Sequence, residues 1–248
     1  MTQRKNFGLY DASFEHDSCG FGLIANVDGR ASDWLVDQAF RALAKMSHRG
    51  GINADGVTGD GCGILLYRPD AWLRALAREA GIEVGPLFAA GLMFLERDAA
   101  SAVTQRSVLE RCLREEGLQP RGWRDVPVNE SACGPLGAAT RPCIAQVFVD
   151  AGDGADEAAF ERALFRARRR ARTQRVAAGD DIFYPVSLSA ATIVYKAMAA
   201  PGRLREVFPD LQRADLAACA ATFHQRFSTN TLPNWRLAQP FRLLAHNG

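Results

Sequence analysis

The chain has 248 residues, 48% apolar and 23% charged, which is enough to bury the core of one large domain or two small ones. Thirty basic residues against 28 acidic ones leave a formal charge of +2, too near balance to argue for a nucleic acid or a membrane surface as partner. No apolar run reaches the roughly 18 residues of a spanning helix. Residues 1–18 hold Asp11, Glu15 and Asp17 and lack the apolar region of a secretory signal, so a cytoplasmic protein is expected.

Residues 21–27 read as a strand closed by the turn pair Asp28-Gly29. Ser32 is the expected N-cap of a helix running to about Met46, with Leu35, Ala39, Leu43 and Met46 on one face. Residues 64–67 form a second strand stopped by Pro69, and a short helix starts at about Asp70. Another strand is expected at 91–95 and another helix at 107–116. In the second half, 144–149 reads as a strand and about 156–175 as a helix. Asp156, Glu157 and Glu161 come early in it, and Arg166, Arg168, Arg169, Arg170 and Arg172 late, which suits the helix dipole. Its arginine-rich side is expected to be a solvated face.

Residues 182–198 read as a β-hairpin rich in Tyr, Val and Ile. Strands near 220–227 and 242–246 close the chain. Many strands with helices in blocks suggest stacked sheets covered by helices, an α/β layered fold. The chain stops at His246-Asn247-Gly248, directly after an apolar strand and without a capping helix or polar tail, so a fragment is expected.

The six cysteines (Cys19, Cys62, Cys112, Cys133, Cys143, Cys219) are scattered, with no CxxC pair and no zinc-like spacing. No metal site is expected, and the cysteines other than Cys19 are read as small buried apolar residues. Four clusters could carry chemistry. They are Asp17-Ser18-Cys19-Gly20-Phe21-Gly22 at the mouth of the first strand; His48-Arg49-Gly50-Gly51 with Asp55-Gly56 and residues 58–63; residues 224–230; and His246-Asn247-Gly248. Taken singly they are weak. Gly59-Asp60-Gly61 lacks any phosphate-loop spacing, and a closing Asn-Gly pair is ordinarily a turn.

Taken together, they resemble the class II glutamine amidotransferases, and more closely the amino-terminal part of glutamate synthase large subunits. The resembling segments are Leu9-Tyr10-Asp11, Glu15 to Gly20, His48-Arg49-Gly50, Ala54-Asp55 and Thr58 to Gly61. They continue with Gly122-Trp123-Arg124-Asp125-Val126-Pro127-Val128, Ser187-Leu188-Ser189 and Thr192-Ile193-Val194-Tyr195-Lys196. Residues 223–230, 235–241 and 244–248 complete the set.

The resemblance implies an α/β (α+β) fold, the N-terminal-nucleophile (Ntn) hydrolase four-layer αββα sandwich, C-terminally incomplete. It implies a propeptide at 1–18 and an amidotransferase domain from 19 to 248 that continues further in the family. Cys19 would be the nucleophile, freed at the chain's N-terminus. Asn247 and Gly248 would stabilise the oxyanion. Arg226 would hold the glutamine α-carboxylate, with Thr229 helping and Arg49 near the nucleophile. The family's aspartate for the substrate α-amino group would lie beyond residue 248.

The released ammonia would go to 2-oxoglutarate at a synthase site absent from this chain. That site implies FMN and an iron–sulfur cluster in the full-length protein but none in this segment, and a small (beta) subunit or other electron donor as partner. The alternatives are an amidotransferase domain serving another acceptor, or a non-catalytic glutamine-binding or interaction fragment.

Overall fold

The computed structural model describes residues 20–152, 154, 156–228 and 231–241. The first strand, β1 (Gly20–Ala25), leads into α1 (Asp33–Ala44). As the sequence predicts, Ser32 caps this helix, its hydroxyl accepting from the Leu35 N–H at 3.3 Å. Leu35, Val36, Ala39, Phe40 and Leu43 make its buried stripe, and a 3-10 turn over Lys45–Arg49 carries the chain off its end. Then come β2 (Cys62–Tyr67), α2 (Asp70–Glu79), β3 (Phe88–Leu95), α3 (Ala99–Glu115) and β4 (Gln119–Asp125). They are followed by α4 (Pro135–Ala139), β5 (Cys143–Asp150), α5 (Glu157–Ala177) and β6 (Tyr184–Pro185). β7 (Thr192–Ala197), α6 (Leu204–Val207) and β8 (Ala220–Gln225) are the last of the described α-helices and strands.

The strands form two four-stranded antiparallel sheets, in the orders β1-β8-β2-β7 and β4-β5-β3-β6. Alternation along a strand sends successive side chains to opposite faces. In the second sheet Ala89, Met93, Leu95, Ala145, Val147 and Val149 therefore bury against α3 and α5. Phe88, Ala90, Leu92, Phe94, Ile144 and Phe148 face the other way, into a core shared with the first sheet and α1. Helix, sheet, sheet and helix stack in the layered α/β arrangement that the sequence suggests.

Three local readings need correcting. The helix expected at 107–116 starts at Ala99, because the Asp98 carboxylate caps it by accepting from the Ser101 N–H at 2.8 Å. β4 went unrecognised because Pro120 and Gly122 disguise it; the register slips between those two residues. The hairpin expected at 182–198 does not exist. β6 pairs with β3 in the second sheet, and β7 pairs with β2 in the first.

Ser187-Leu188-Ser189 makes that crossing between sheets. The Ser189 hydroxyl donates to Glu161 of α5 at 2.6 Å, and the Val194 N–H donates to Ser187 Oγ at 3.1 Å. The arginine side of α5 is only partly solvated. Arg166 and Arg170 pair with Glu116 and Glu115 at the end of α3, and Arg172 donates to the carbonyls of Asp180 and Phe183. Of the described cysteines, Cys62, Cys112 and Cys133 are buried as expected, while Cys143 and Cys219 are half-exposed. Burial pushes the Cys133 thiol up to about 11. The strand expected at 242–246 lies outside the described residues.

The motif at 122–128 is explained by a buried ion pair between the two halves of the sandwich. Arg124 of β4 donates through Nη2 and Nη1 to both carboxylate oxygens of Asp210 and through Nε to Gln146 Oε1 at 2.5 Å. The Tyr195 hydroxyl of β7 donates to the same Asp210 oxygen at 3.2 Å.

Candidate active site at one end of the first sheet

Antiparallel register aligns Gly20, Gln225, Cys62 and Ala197 in one row across the first sheet. That row marks the end of the sheet where β1 begins and β8 finishes. One residue further along β8, the Arg226 N–H still donates to the Gly61 carbonyl at 2.8 Å, which carries Arg226 just past the row. Arg226 is 7% exposed, and its guanidinium donates through Nη2 to Thr231 Oγ1 at 2.6 Å. The turn that follows is fastened twice. The Ser228 N–H donates to Asp60 Oδ2 at 2.7 Å, and the Ser228 hydroxyl donates to the Thr231 carbonyl.

The loop from Gly50 to Gly61 closes over the same row. The Asp60 N–H donates to the Gly51 carbonyl at 3.0 Å, and Ile52 bridges to Gly59. Asp55 acts as the loop's anchor, its carboxylate accepting from the Thr58 hydroxyl and from the N–H groups of Thr58, Val57 and Leu136. These donors, the Thr58 hydroxyl first among them, hold the Asp55 carboxyl well below the usual carboxylate range.

Close packing rather than phosphate binding accounts for the glycines. A Cβ on Gly50 would lie 2.0 Å from Gln225 Nε2, and one on Gly51 would lie 2.2 Å from Asp60 Oδ2. Gly51→Ala is therefore expected to push Asp60 off the Ser228 N–H and to destabilise the fold by about 1–3 kcal/mol. Thermal unfolding measures this; an unchanged midpoint would mean that the loop is free to shift.

Arg49 reaches the same corner from the 3-10 turn after α1. Its Cβ and Cγ would sit 3.1 and 3.3 Å from a Cβ on Gly20, so a side chain at 20 would press on the half-buried arginine stem. Of the six residues singled out from the sequence, Arg49 and Arg226 are among those described, and both stand at this end of the first sheet, Arg49 against Gly20 and Arg226 next to Gln225. They lie beside Gly20 and Gln225, which pair with each other. Gly20 is the residue to which Cys19 is bonded. Cys19, Thr229, Asn247 and Gly248 lie outside the described residues.

His48, in the same sequence cluster as Arg49, is exposed, with its Nδ1 3.1 Å from the Lys45 carbonyl oxygen, and takes no part. Two site residues carried no sequence signal of their role. Thr231 and Asp60 orient the Arg226 turn, but only the fold brings position 60 against position 228. Among the described residues no three His, Cys, Asp or Glu side chains gather as a metal site, and no helix is long and apolar enough to cross a membrane.

The family model described as class-II glutamine amidotransferases matches residues 19–248. The chain is 37% identical over 242 residues to the glutamate synthase (NADPH) large chain of Bacillus subtilis (strain 168), covering 97% of this chain and 16% of that one. It is 40% identical over 245 residues to the glutamate synthase (NADPH) large chain of Azospirillum brasilense, covering 96% and 16%. It is also 39% identical over 236 residues to ferredoxin-dependent glutamate synthase 2 of Synechocystis sp. (strain ATCC 27184 / PCC 6803 / Kazusa), covering 94% and 15%. The chain thus spans about one-sixth of the length of these relatives.

Proposed function

The chain belongs to the class-II glutamine amidotransferases, and from that premise we propose that it is the glutamine-hydrolysing end of a glutamate synthase. The observation that supports this most is the placement of Arg226 and Arg49 at the end of the first sheet where β1 begins, the strand end bonded to the candidate nucleophile.

Cys19 is the nucleophile, made N-terminal by removal of residues 1–18; the family match, which starts at residue 19, supports this boundary. A free α-amino group has a pKa near 8, so a useful fraction is unprotonated near neutrality. It can take the thiol proton directly or through a water. While Cys19 is joined to Ser18 by an amide that base does not exist, so processing is activation.

The thiolate attacks the glutamine side-chain carbonyl. The tetrahedral intermediate collapses with protonation and loss of ammonia, and water hydrolyses the resulting thioester to glutamate and a free thiol. Asn247, through its side-chain amide, and Gly248, through its N–H, donate to the oxyanion; one such donor is worth roughly 3–4 kcal/mol of barrier. Arg226, with its guanidinium steadied by Thr231, grips the α-carboxylate, and Thr229 helps hold the substrate. Arg49 flanks the nucleophile.

In the whole protein the ammonia passes to 2-oxoglutarate, with electrons from a small subunit or another donor. The described residues offer no cluster of metal-ligating side chains. They do not fit an iron–sulfur cluster, and FMN and the cluster are assigned to the remainder of the protein.

Arg226→Lys tests the carboxylate assignment. Lysine keeps the charge but cannot make the two parallel hydrogen bonds of a guanidinium. The KM for glutamine in the full-length enzyme is expected to rise about 10–100-fold, in line with roughly 1.5–3 kcal/mol for a charged hydrogen bond. An unchanged KM would remove Arg226 from the substrate site.

A further inference from the structure

The chemistry above makes no use of a cleft at the end of the second sheet where β3 finishes and β5 and β6 begin. Its volume is about 230 Å³. The walls are Phe94 of β3, Pro142 before β5, Ile182 before β6, and Trp235 from the chain after β8. Arg236 and Asp181 bring a cation and an anion to the same cleft. None of these six residues stands at the end of the first sheet that carries Arg226 and Arg49.

Both sides of the cleft are fastened. The Trp235 indole N–H donates to the Gly137 carbonyl at 3.0 Å, and its ring meets Phe94 edge-on with the centres 5.9 Å apart. The buried Lys196 donates through Nζ to the Arg236 carbonyl at 2.8 Å and stands 4.7 Å from the centre of the Phe241 ring. A Cβ on Gly61 would lie 2.8 Å from Ala238 Cβ, and one on Gly63 would lie 2.6 Å from the Gln239 carbonyl oxygen. The stretch after Trp235 therefore rests on a floor of bare backbone. On the opposite side the Asp180 carboxylate accepts from the N–H groups of Ile182 and Phe183 at 3.0 and 2.9 Å. Arg172 donates to the Asp180 and Phe183 carbonyls and closes that turn. Walls set in advance are the mark of small-molecule sites.

The charges narrow the ligand. The Arg236 guanidinium reaches the main-chain carbonyl of Asp181 at 3.0 Å rather than its carboxylate. One arm of the fork is used, and the two opposite charges are not cancelled against each other. An apolar slot with one cation and one anion complements a molecule with a carboxylate and an ammonium on one carbon and an apolar group beyond them. At about 30 Å³ for each water-sized group, the cleft holds roughly eight non-hydrogen atoms, the size of valine or leucine.

We propose that this cleft binds a free α-amino acid with an apolar side chain. The carboxylate meets the Arg236 guanidinium, the ammonium meets Asp181, and the side chain lies against Phe94, Pro142, Ile182 and Trp235. The inference goes beyond the amidotransferase reading and does not depend on it, since no part of it passes through Cys19 or Arg226.

The test is equilibrium dialysis of the full-length enzyme against radiolabelled L-leucine, with and without excess L-glutamine. Saturable binding with a Kd of about 0.1–1 mM is expected, undisturbed by glutamine. The acid that lacks leucine's amino group and the amine that lacks its carboxylate should each compete about tenfold more weakly or worse. Arg236→Gln and Asp181→Asn are each expected to weaken L-leucine binding by about tenfold or more. Ile182→Glu, which puts a charge into the apolar wall, should abolish it. Asp181 and Ile182 are exposed, so these two variants decide the matter if Arg236→Gln does not fold. Absence of saturable binding up to about 10 mM L-leucine overturns the proposal. So does displacement by L-glutamine, which would place leucine in the substrate site, or binding left unchanged by Asp181→Asn or by Ile182→Glu.

Discussion

Cys19→Ala is expected to lower glutamine hydrolysis by the full-length enzyme by about 10³-fold or more, since no other group can form the thioester. Ammonia-dependent glutamate formation should survive, because added ammonia bypasses the first site. The two activities, measured side by side on one preparation, separate a lost nucleophile from a damaged fold. Each of the other described cysteines is unsuited to replace it. Cys62 is buried, and burial raises its thiol far above the physiological range. Cys133 is pushed up to about 11, and the half-exposed Cys219 is also raised by burial. None of them stands at a chain N-terminus with an amine beside it. Glutamine hydrolysis at the normal rate in the alanine variant would refute the assignment. Sequencing the first residue of the mature protein checks the companion expectation that it begins at Cys19.

Asp210→Ala is expected to cost about 3–5 kcal/mol, because it leaves the Arg124 guanidinium buried without its counter-charge. Both side chains are almost fully enclosed, at 11% and 7% exposure, and the ion pair also ties in Tyr195 and Gln146. At roughly 2–4 °C per kcal/mol for a domain of this size, the unfolding midpoint of the amidotransferase region should fall by about 10 °C. Replacing both partners by apolar residues, Arg124→Met with Asp210→Leu, should recover much of that loss, because the desolvation of both charges is then removed together. A single variant with an unmoved midpoint would show that water or another group takes over from the carboxylate. This pair accounts for the 122–128 motif as a joint between β4 and the segment after α6, not as part of the substrate site.

How far the sequence carried the site can be judged residue by residue. Arg226 and Arg49 stand in motifs that point to them directly, and the fold brings both to the start of β1. Asp60 sits inside a quoted motif and Thr231 one residue past another, but their task of orienting the Arg226 turn shows only when a loop before β2 meets the chain after β8. Lys196 likewise appears in a motif that does not reveal that its amine lies under Arg236 and Phe241.

The sequence by itself determined what is local. The Ser32 cap, the apolar stripe of α1, the Asp156 cap of α5 and the cores of most strands follow from spacing and side-chain chemistry within a few residues. Local motifs carry the family resemblance as well. Only the tertiary structure decided which strands pair. Residues 182–198 alternate as a hairpin should, yet β6 and β7 part into different sheets. β4 is a strand despite Pro120 and Gly122, because β5 supplies its partner. The physical reason is that alternation fixes which face a side chain takes but not which strand lies beside it. That choice is made by burial and hydrogen bonding between segments far apart in the chain, as when Ser189 is held by Glu161 and the Gly61–Gly63 floor is covered by Ala238 and Gln239.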